Sequence, residues 1–273
     1  MIRPPIANGT FYPNNPTTLI KTIETYLSKV KHTTKKIIKD PFAFIVPHAG
    51  YTFSGFTAAH VYSQLQNIDV DTFLLLGPTH NAYIDSNSLF TEGAYKTPLG
   101  LIDLDDEIID FLKYKEHLKS TIEAHLTEHS LEVQLPFLQV VKPKAKIVPI
   151  LIGDYSVSNL EYMASIINEI FNNFSKKTIV LASSDLSHYH TSEVAMKKDK
   201  LLINLLRKKN LEQLIEHFND NKIEACGAGP ILTTMFAART LNKNNITILN
   251  YSHSGQVNHD NSRVVGYLAA AIH

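Results

Sequence analysis

Only one cysteine, Cys226, occurs among the 273 residues, so no intrachain disulfide can form and a reducing compartment is expected. Surplus charge is missing as well: 26 Lys and Arg balance 26 Asp and Glu, and Arg3, Arg207, Arg239 and Arg263 are the only arginines. Without a basic excess nothing is left to neutralise phosphates in bulk, which disfavours nucleic acid and acidic membrane surfaces as partners. Long apolar runs are absent too. The longest, such as residues 264–272, fall well short of the roughly 20 residues that a spanning helix needs. Behind Met1 stand one basic residue and two prolines with no apolar core. This start does not read as a secretory signal, and the expected location is cytoplasmic. There is no internal repeat and no low-complexity linker. A lysine-rich stretch over 29–39 reads as a solvated loop, and the chain is expected to be one domain, residues 1–273.

Hydrophobic residues at 44% and charged residues at 19% match soluble globular proteins and exclude a disordered, collagen-like or coiled-coil chain. Short apolar runs alternate with amphipathic stretches. Strands are expected over 42–46, 72–76, 88–92, 145–152, 178–182, 246–250 and 264–270. Several are continuous in Ile, Val, Leu and Phe, as in strands covered on both faces. Helices are expected over 16–30, 53–65, 157–171, 193–206 and 230–241. In the first, Leu19, Ile20, Ile23 and Leu27 recur at helical spacing, and Pro16 suits the first turn. The alternation predicts an α/β fold, a three-layer α/β/α sandwich around a largely parallel or mixed central sheet.

Thirteen histidines stand out in the composition, and three of them share one grammar. An apolar strand ends, a turn-forming or small residue follows, and a histidine comes next. The three cases are His48 after Val46-Pro47, His80 after Gly77-Pro78-Thr79, and His188 after Ser183-Ser184-Asp185-Leu186-Ser187. Ligands of open α/β sheets bind outside the carboxyl ends of the strands. Three parallel strands ending this way would gather three imidazoles and Asp185 at one rim.

Cys226 precedes Gly227-Ala228-Gly229-Pro230 and an apolar helical stretch. A thiol there is expected to sit in the positive potential of a helix start, which favours thiolate, the form that ligates metal or attacks carbon. The flanking glycines suggest close backbone approach to another group. In Glu128-His129-Ser130-Leu131-Glu132, His129 and Glu132 would share a helix face. An acid–base or supporting role and a capping role remain equally open for this pair, while Leu131, Leu135 and Leu138 are expected in the core.

Together these motifs resemble the MEMO family, whose prokaryotic members are also called AmmeMemoRadiSam system protein B. The motifs are Pro47-His48-Ala49-Gly50-Tyr51, Gly77-Pro78-Thr79-His80, the 128–132 segment, Ser183 to His188, and Cys226 to Pro230. Asn8-Gly9-Thr10-Phe11-Tyr12 resembles the family's N-terminal glycine–aromatic motif, so the similarity runs from residue 8 to the carboxyl end. It implies a fold like that of class III extradiol dioxygenases of the LigB type and a mononuclear metal held by His48, His80 and Cys226. His188, Asp185 and His129 would then line the same pocket. Asn81 and Gln134 stand where animal-type members often carry histidine, and Ala228 replaces a bulkier residue.

Extradiol dioxygenases bind Fe(II) through two histidines and a carboxylate, and exchanging the carboxylate for thiolate softens the site toward Cu(I), Zn or thiolate-bound iron. The leading expectation is therefore an iron- or copper-dependent oxidoreductase acting on a small molecule, with Fe(II) as metal, Cu or Zn as alternatives, and His188 as acid–base oriented by Asp185. A second expectation is a non-catalytic metal- or phosphopeptide-binding module, which the scarcity of arginine disfavours. A third is a thiol hydrolase using Cys226, His188 and Asp185. The resemblance also implies functional association with radical-SAM and AMMECR-type proteins.

Overall fold

The computed structural model describes residues 1–31, 37–243 and 245–273. Residues 32–36 of the lysine-rich stretch lie outside it. In chain order come β1 (Ile2–Arg3), α1 (Pro16–Lys31), β2 (Ala43–Val46), α2 (Tyr51–Leu65), β3 (Thr72–Pro78), β4 (Asn87–Leu89), β5 (Ala94–Thr97) and β6 (Gly100–Asp103). There follow α3 (Asp106–Leu112), β7 (Leu118–Lys119), α4 (Ile122–Thr127), a 3₁₀ turn (Glu132–Gln134), α5 (Leu135–Val141), β8 (Lys146–Ile152) and α6 (Val157–Asn173). The rest is β9 (Thr178–Ser183), β10 (Asp185–His190), α7 (Ser192–Lys208), α8 (Leu211–Asn219), α9 (Ala228–Thr240), β11 (Ile246–His253), α10 (Gly255–Asn258) and β12 (Val264–Ile272).

Continuous apolar runs become the centre of the sheet. β2, β9, β3 and β8 lie parallel in that order, with Val46 opposite Ser183, Leu76 opposite Ala182 and Pro78 opposite Ile152. Every residue of β2, β3 and β9 is buried. β12 runs antiparallel to β2 on one side and β4 antiparallel to β8 on the other, so the sheet is mixed. Helices α1, α2 and α5 cover one face; α6, α7, α8 and α9 cover the other. The three-layer sandwich read from the sequence is the observed architecture.

Most unforeseen elements are short, and β10 is the informative one. Its Asp-Leu-Ser-His-Tyr-His sequence carries little strand propensity and lies outside the strands expected from the sequence; pairing with β12 overrides that preference. Among the described residues no helix is long and apolar enough to cross a membrane.

A small sheet of β1, β5 and β6 holds the amino-terminal arm. Arg3 is fully buried, with its guanidinium over the Tyr95 ring at 5.0 Å. It pairs with the equally buried Glu132 and donates to the carbonyls of His125 (3.0 Å) and Glu128 (2.6 Å). Glu132 in turn accepts from the backbone N–H groups of Ile6 and Ala7, both at 2.9 Å, and from the Tyr12 hydroxyl. Removing one member of such a pair strands the other charge without water. Glu132→Ala is therefore expected to cost about 3–5 kcal/mol in urea unfolding. A loss under about 1 kcal/mol would show that the arm docks without this pair.

At the opposite end of the strands, Asp105 caps α3 and is 1% exposed. Burial pushes its carboxyl up, but Lys176 at 2.6 Å, the Thr72 hydroxyl and the Ile108 N–H together hold it below the ordinary value. A depressed folded pKa means the contribution is complete above the unfolded value near 4 and is lost as pH falls through the folded one. The stability difference between wild type and Asp105→Asn should stay constant from pH 8 to about 5 and shrink below about 4, measured by urea unfolding. A difference that grows with acid would overturn this assignment.

Candidate metal centre

The carboxyl ends of β2, β3 and β9 deliver His48, His80 and Asp185 to one rim. The loop between α4 and the 3₁₀ turn adds His129, and the residues just before α9 add Cys226. The donor nitrogens of His48, His80 and His129 all lie within 4.8 Å of one another. Their ring centroids are 4.7 to 5.5 Å apart. The Cys226 sulfur lies 3.2 Å from His48 Nε2. These groups line an open cleft of about 540 Å³, which His188, Asp185, Phe11 and Tyr189 also border.

Hydrogen bonding fixes which nitrogen of His48 is free. Tyr62 donates to Gln134 Oε1, so the amide of Gln134 presents its NH₂ group to the Ser183 hydroxyl at 2.8 Å and to the Pro47 carbonyl at 3.0 Å. Ser183 has one proton, and gives it to the Ser130 carbonyl at 2.7 Å. Its oxygen can then only accept from His48 Nδ1, 2.9 Å away. Nδ1 carries the hydrogen and the Nε2 lone pair faces the cluster. Burial, with His129 and His80 alongside, keeps this ring well below the ordinary histidine pKa and hence neutral.

His80 is oriented by a carboxylate. Glu128 accepts from His80 Nδ1 at 2.8 Å, from the His80 backbone N–H, and from the Ser130 N–H at 2.8 Å. A carboxylate can only accept, so His80 also keeps its hydrogen on Nδ1 and offers Nε2. Burial alone would raise Glu128, but the His80 contact and the backbone donors outweigh it and hold the carboxyl down to about 2. For His80, burial works against the charged ring and Glu128 more than compensates, raising its pKa. His129 sits 3.4 Å from the same carboxylate, packs on Phe11 with centroids 4.5 Å apart, and is lowered by burial.

Cys226 is fastened to the end of β9: its sulfur accepts from Asp185 N–H at 3.2 Å, and Gly227 N–H donates to the Ser184 hydroxyl at 2.9 Å. A Cβ at Gly227 would lie 2.4 Å from the Ser183 carbonyl oxygen. The close approach expected of the flanking glycines is thus made to the chain itself. The expected thiolate bias is reversed in this setting. Burial, and then the charge of Asp185, push the thiol up, and the residue that caps α9 is Gly227.

Several sequence expectations are redistributed. Asp185 is buried and accepts from the backbone N–H groups of His48 (2.9 Å) and Ala49 (3.3 Å), so it steadies the first histidine loop. Among the described residues no hydrogen bond joins it to His188, which lies on β10 at the cleft wall; the Asp–His orienting pair is not formed. Burial raises Asp185 to about 7, those two donors offsetting part of the effect. His129 and Glu132 do not share a helix face, because His129 precedes the 3₁₀ turn and Glu132 points to the amino-terminal arm. Leu131, Leu135 and Leu138 are buried as expected. Asn81 donates to the Thr127 carbonyl at 2.7 Å, tying the His80 loop to α4, and Ala228 is buried away from the cleft lining. Glu128, Ser183 and Gln134, which set the imidazoles, were not singled out as site residues. Glu128 adjoins His129, Ser183 ends β9 and Gln134 closes the 3₁₀ turn before α5, but nothing local gives any of them a role at an imidazole.

The geometry can be set beside known proteins. A family model described as Memo-like protein matches residues 3–271. The MEMO1 family protein of Methanobrevibacter smithii is 37% identical over 276 residues, covering 98% of each chain. That of Sulfurisphaera tokodaii is 38% identical over 280 residues, again covering 98% of each. The protein MJ0403 of Methanocaldococcus jannaschii, of the same name, is 35% identical over 284 residues with 99% of each covered. Matched along nearly its whole length, this chain belongs to the family of Memo-like proteins.

Proposed function

We propose that this protein is a mononuclear metal oxidoreductase whose ion is held by Nε2 of His48, Nε2 of His80 and the sulfur of Cys226, with His129 beside them. The observation that carries the reading is the pair of fixed tautomers. Ser183 and Glu128 each occupy an Nδ1 and turn the Nε2 lone pair toward the cluster, the outer arrangement that metal-binding imidazoles use. The 3.2 Å separation of His48 Nε2 and the sulfur is close to the roughly 3.6 Å edge of a tetrahedral N/S site. Two imidazoles and a thiolate suit iron, copper or zinc, and Fe(II) is the metal we assign.

Bound iron supplies redox and Lewis-acid chemistry. The chain's own part is to hold the donors rigid, through Asp185 on the His48 backbone and Glu128 on His80. His188 and His129, neutral near pH 7 because burial lowers both, can accept a proton from a substrate in the cleft. In protein prepared anaerobically with Fe(II), about one iron per chain is expected. His48→Ala and His80→Ala should abolish stoichiometric binding, and Glu128→Gln should weaken it about 10–100-fold. Iron content equal to wild type in both histidine variants would end this reading.

The short contact between Cys226 and His48 also favours a second reading, a thiol nucleophile with His48 rather than His188 as its base. Behind His48 stands a serine hydroxyl instead of a carboxylate, which gives an imidazolium little support. Iodoacetamide separates the two. If the sulfur is a ligand, Fe(II) should slow Cys226 alkylation at least tenfold; alkylation that is rapid with or without metal supports the nucleophile.

A further inference from the structure

The part of the cleft wall formed by β10 contains a backbone irregularity. Along the β10–β12 ladder His188 faces Val265 and His190 faces Val264, so Tyr189 is an extra residue without a partner. Its φ is +62°, a left-handed conformation that bulky side chains rarely adopt. Bulges beside clefts re-aim side chains, and strain of this kind persists where the surroundings enforce it. Here the bulge falls at Tyr189, which lines the cleft and is 64% exposed.

Arg263 lies over that ring, its guanidinium carbon 5.1 Å from the centroid. It stands two residues before Val265, which lines the cleft. No arginine and no lysine is among the described residues that line this cleft, so Arg263 beside Tyr189 is a cation bordering it from outside the lining. The nearest acid in sequence, Asp260, is turned to the backbone and hydroxyl of Ser262 at 2.9 and 2.6 Å. No carboxylate comes within ion-pair distance of Arg263 among the described residues. A cation is thus held on the face of a ring that borders the cavity, with its hydrogen-bond donors uncommitted.

We propose that Arg263, seated on Tyr189, is the specificity-determining residue of the cleft, and that the substrate is a small organic acid. Its carboxylate pairs with the guanidinium while its apolar body lies against Phe11 and Val265. This rests on reading the cleft as the substrate side of the proposed metal centre. The pairing is charge-assisted and fork-like, so it discriminates acids from their neutral isosteres.

The test uses cyclohexanecarboxylate, cyclohexanecarboxamide and inorganic phosphate as probes, with dissociation constants from NMR titration of the iron-loaded protein. The acid should bind at least tenfold more tightly than the amide and than phosphate. Arg263→Gln should weaken the acid about tenfold, leave the amide unchanged and leave iron content unchanged; Tyr189→Ala should weaken the acid several-fold. Equal binding of acid and amide, equal binding of phosphate alone, or an acid affinity unaffected by Arg263→Gln at full iron content overturns the inference. Discrimination that survives in protein unable to hold iron supports the inference while removing the metal reading, so the two fail separately.

Discussion

Parallel pairing of β2, β9 and β3 in one register decides where each polar side chain of the cleft can stand. Val46, Ser183 and Pro78 end their strands near one level, and each strand then turns into the residues that meet there. A register slip of one residue would reverse the faces of these strands and bury the wrong side chains. Side-chain packing against the helices on both faces is what opposes it, since strands buried on both sides carry no polar–apolar alternation to set the register. Precision at the rim is thus a by-product of core packing, and the polar groups need only short connections to meet.

The electrostatic character of the rim follows from the same placement. Three imidazoles within a few ångströms cannot all carry charge, and burial favours the neutral form of His48 and His129. His80 is the exception because Glu128 faces it directly. Coordination requires nitrogens free of protons, and His48 and His80 each have the other nitrogen occupied, by Ser183 and Glu128. Asp185 belongs to this frame through the main chain, where it receives two backbone hydrogens that would otherwise lack acceptors.

The strand–turn–histidine pattern made the rim legible before any coordinates. Apolar runs marked the parallel strands, and prolines or serines after them marked where side chains turn outward, which placed His48, His80 and Asp185 at one edge. What stayed hidden depends on long-range pairing. β10 is polar and forms because β12 offers a ladder. The dipole of the α9 start is a local feature, whereas burial of Cys226, which carries more weight at that depth, depends on the whole fold. Glu128, Ser183 and Gln134 act through contacts 48 or more residues away, and no window of sequence displays them. Tyr189 was invisible for a related reason: a bulge is a mismatch between two strands and has no signature in either alone.

The clasp between Arg3 and Glu132 joins residues 129 positions apart. Closing so long a loop is entropically unfavourable until its far side is already formed. During synthesis the first dozen residues therefore wait, without a docking place, until nearly half the polypeptide has left the ribosome. Phe11 travels with that waiting segment and forms one boundary of the cavity. Asp185, His188 and Cys226 emerge later still, so the Phe11 wall has its docking place before the rim is complete, and the last donors close against a boundary already set.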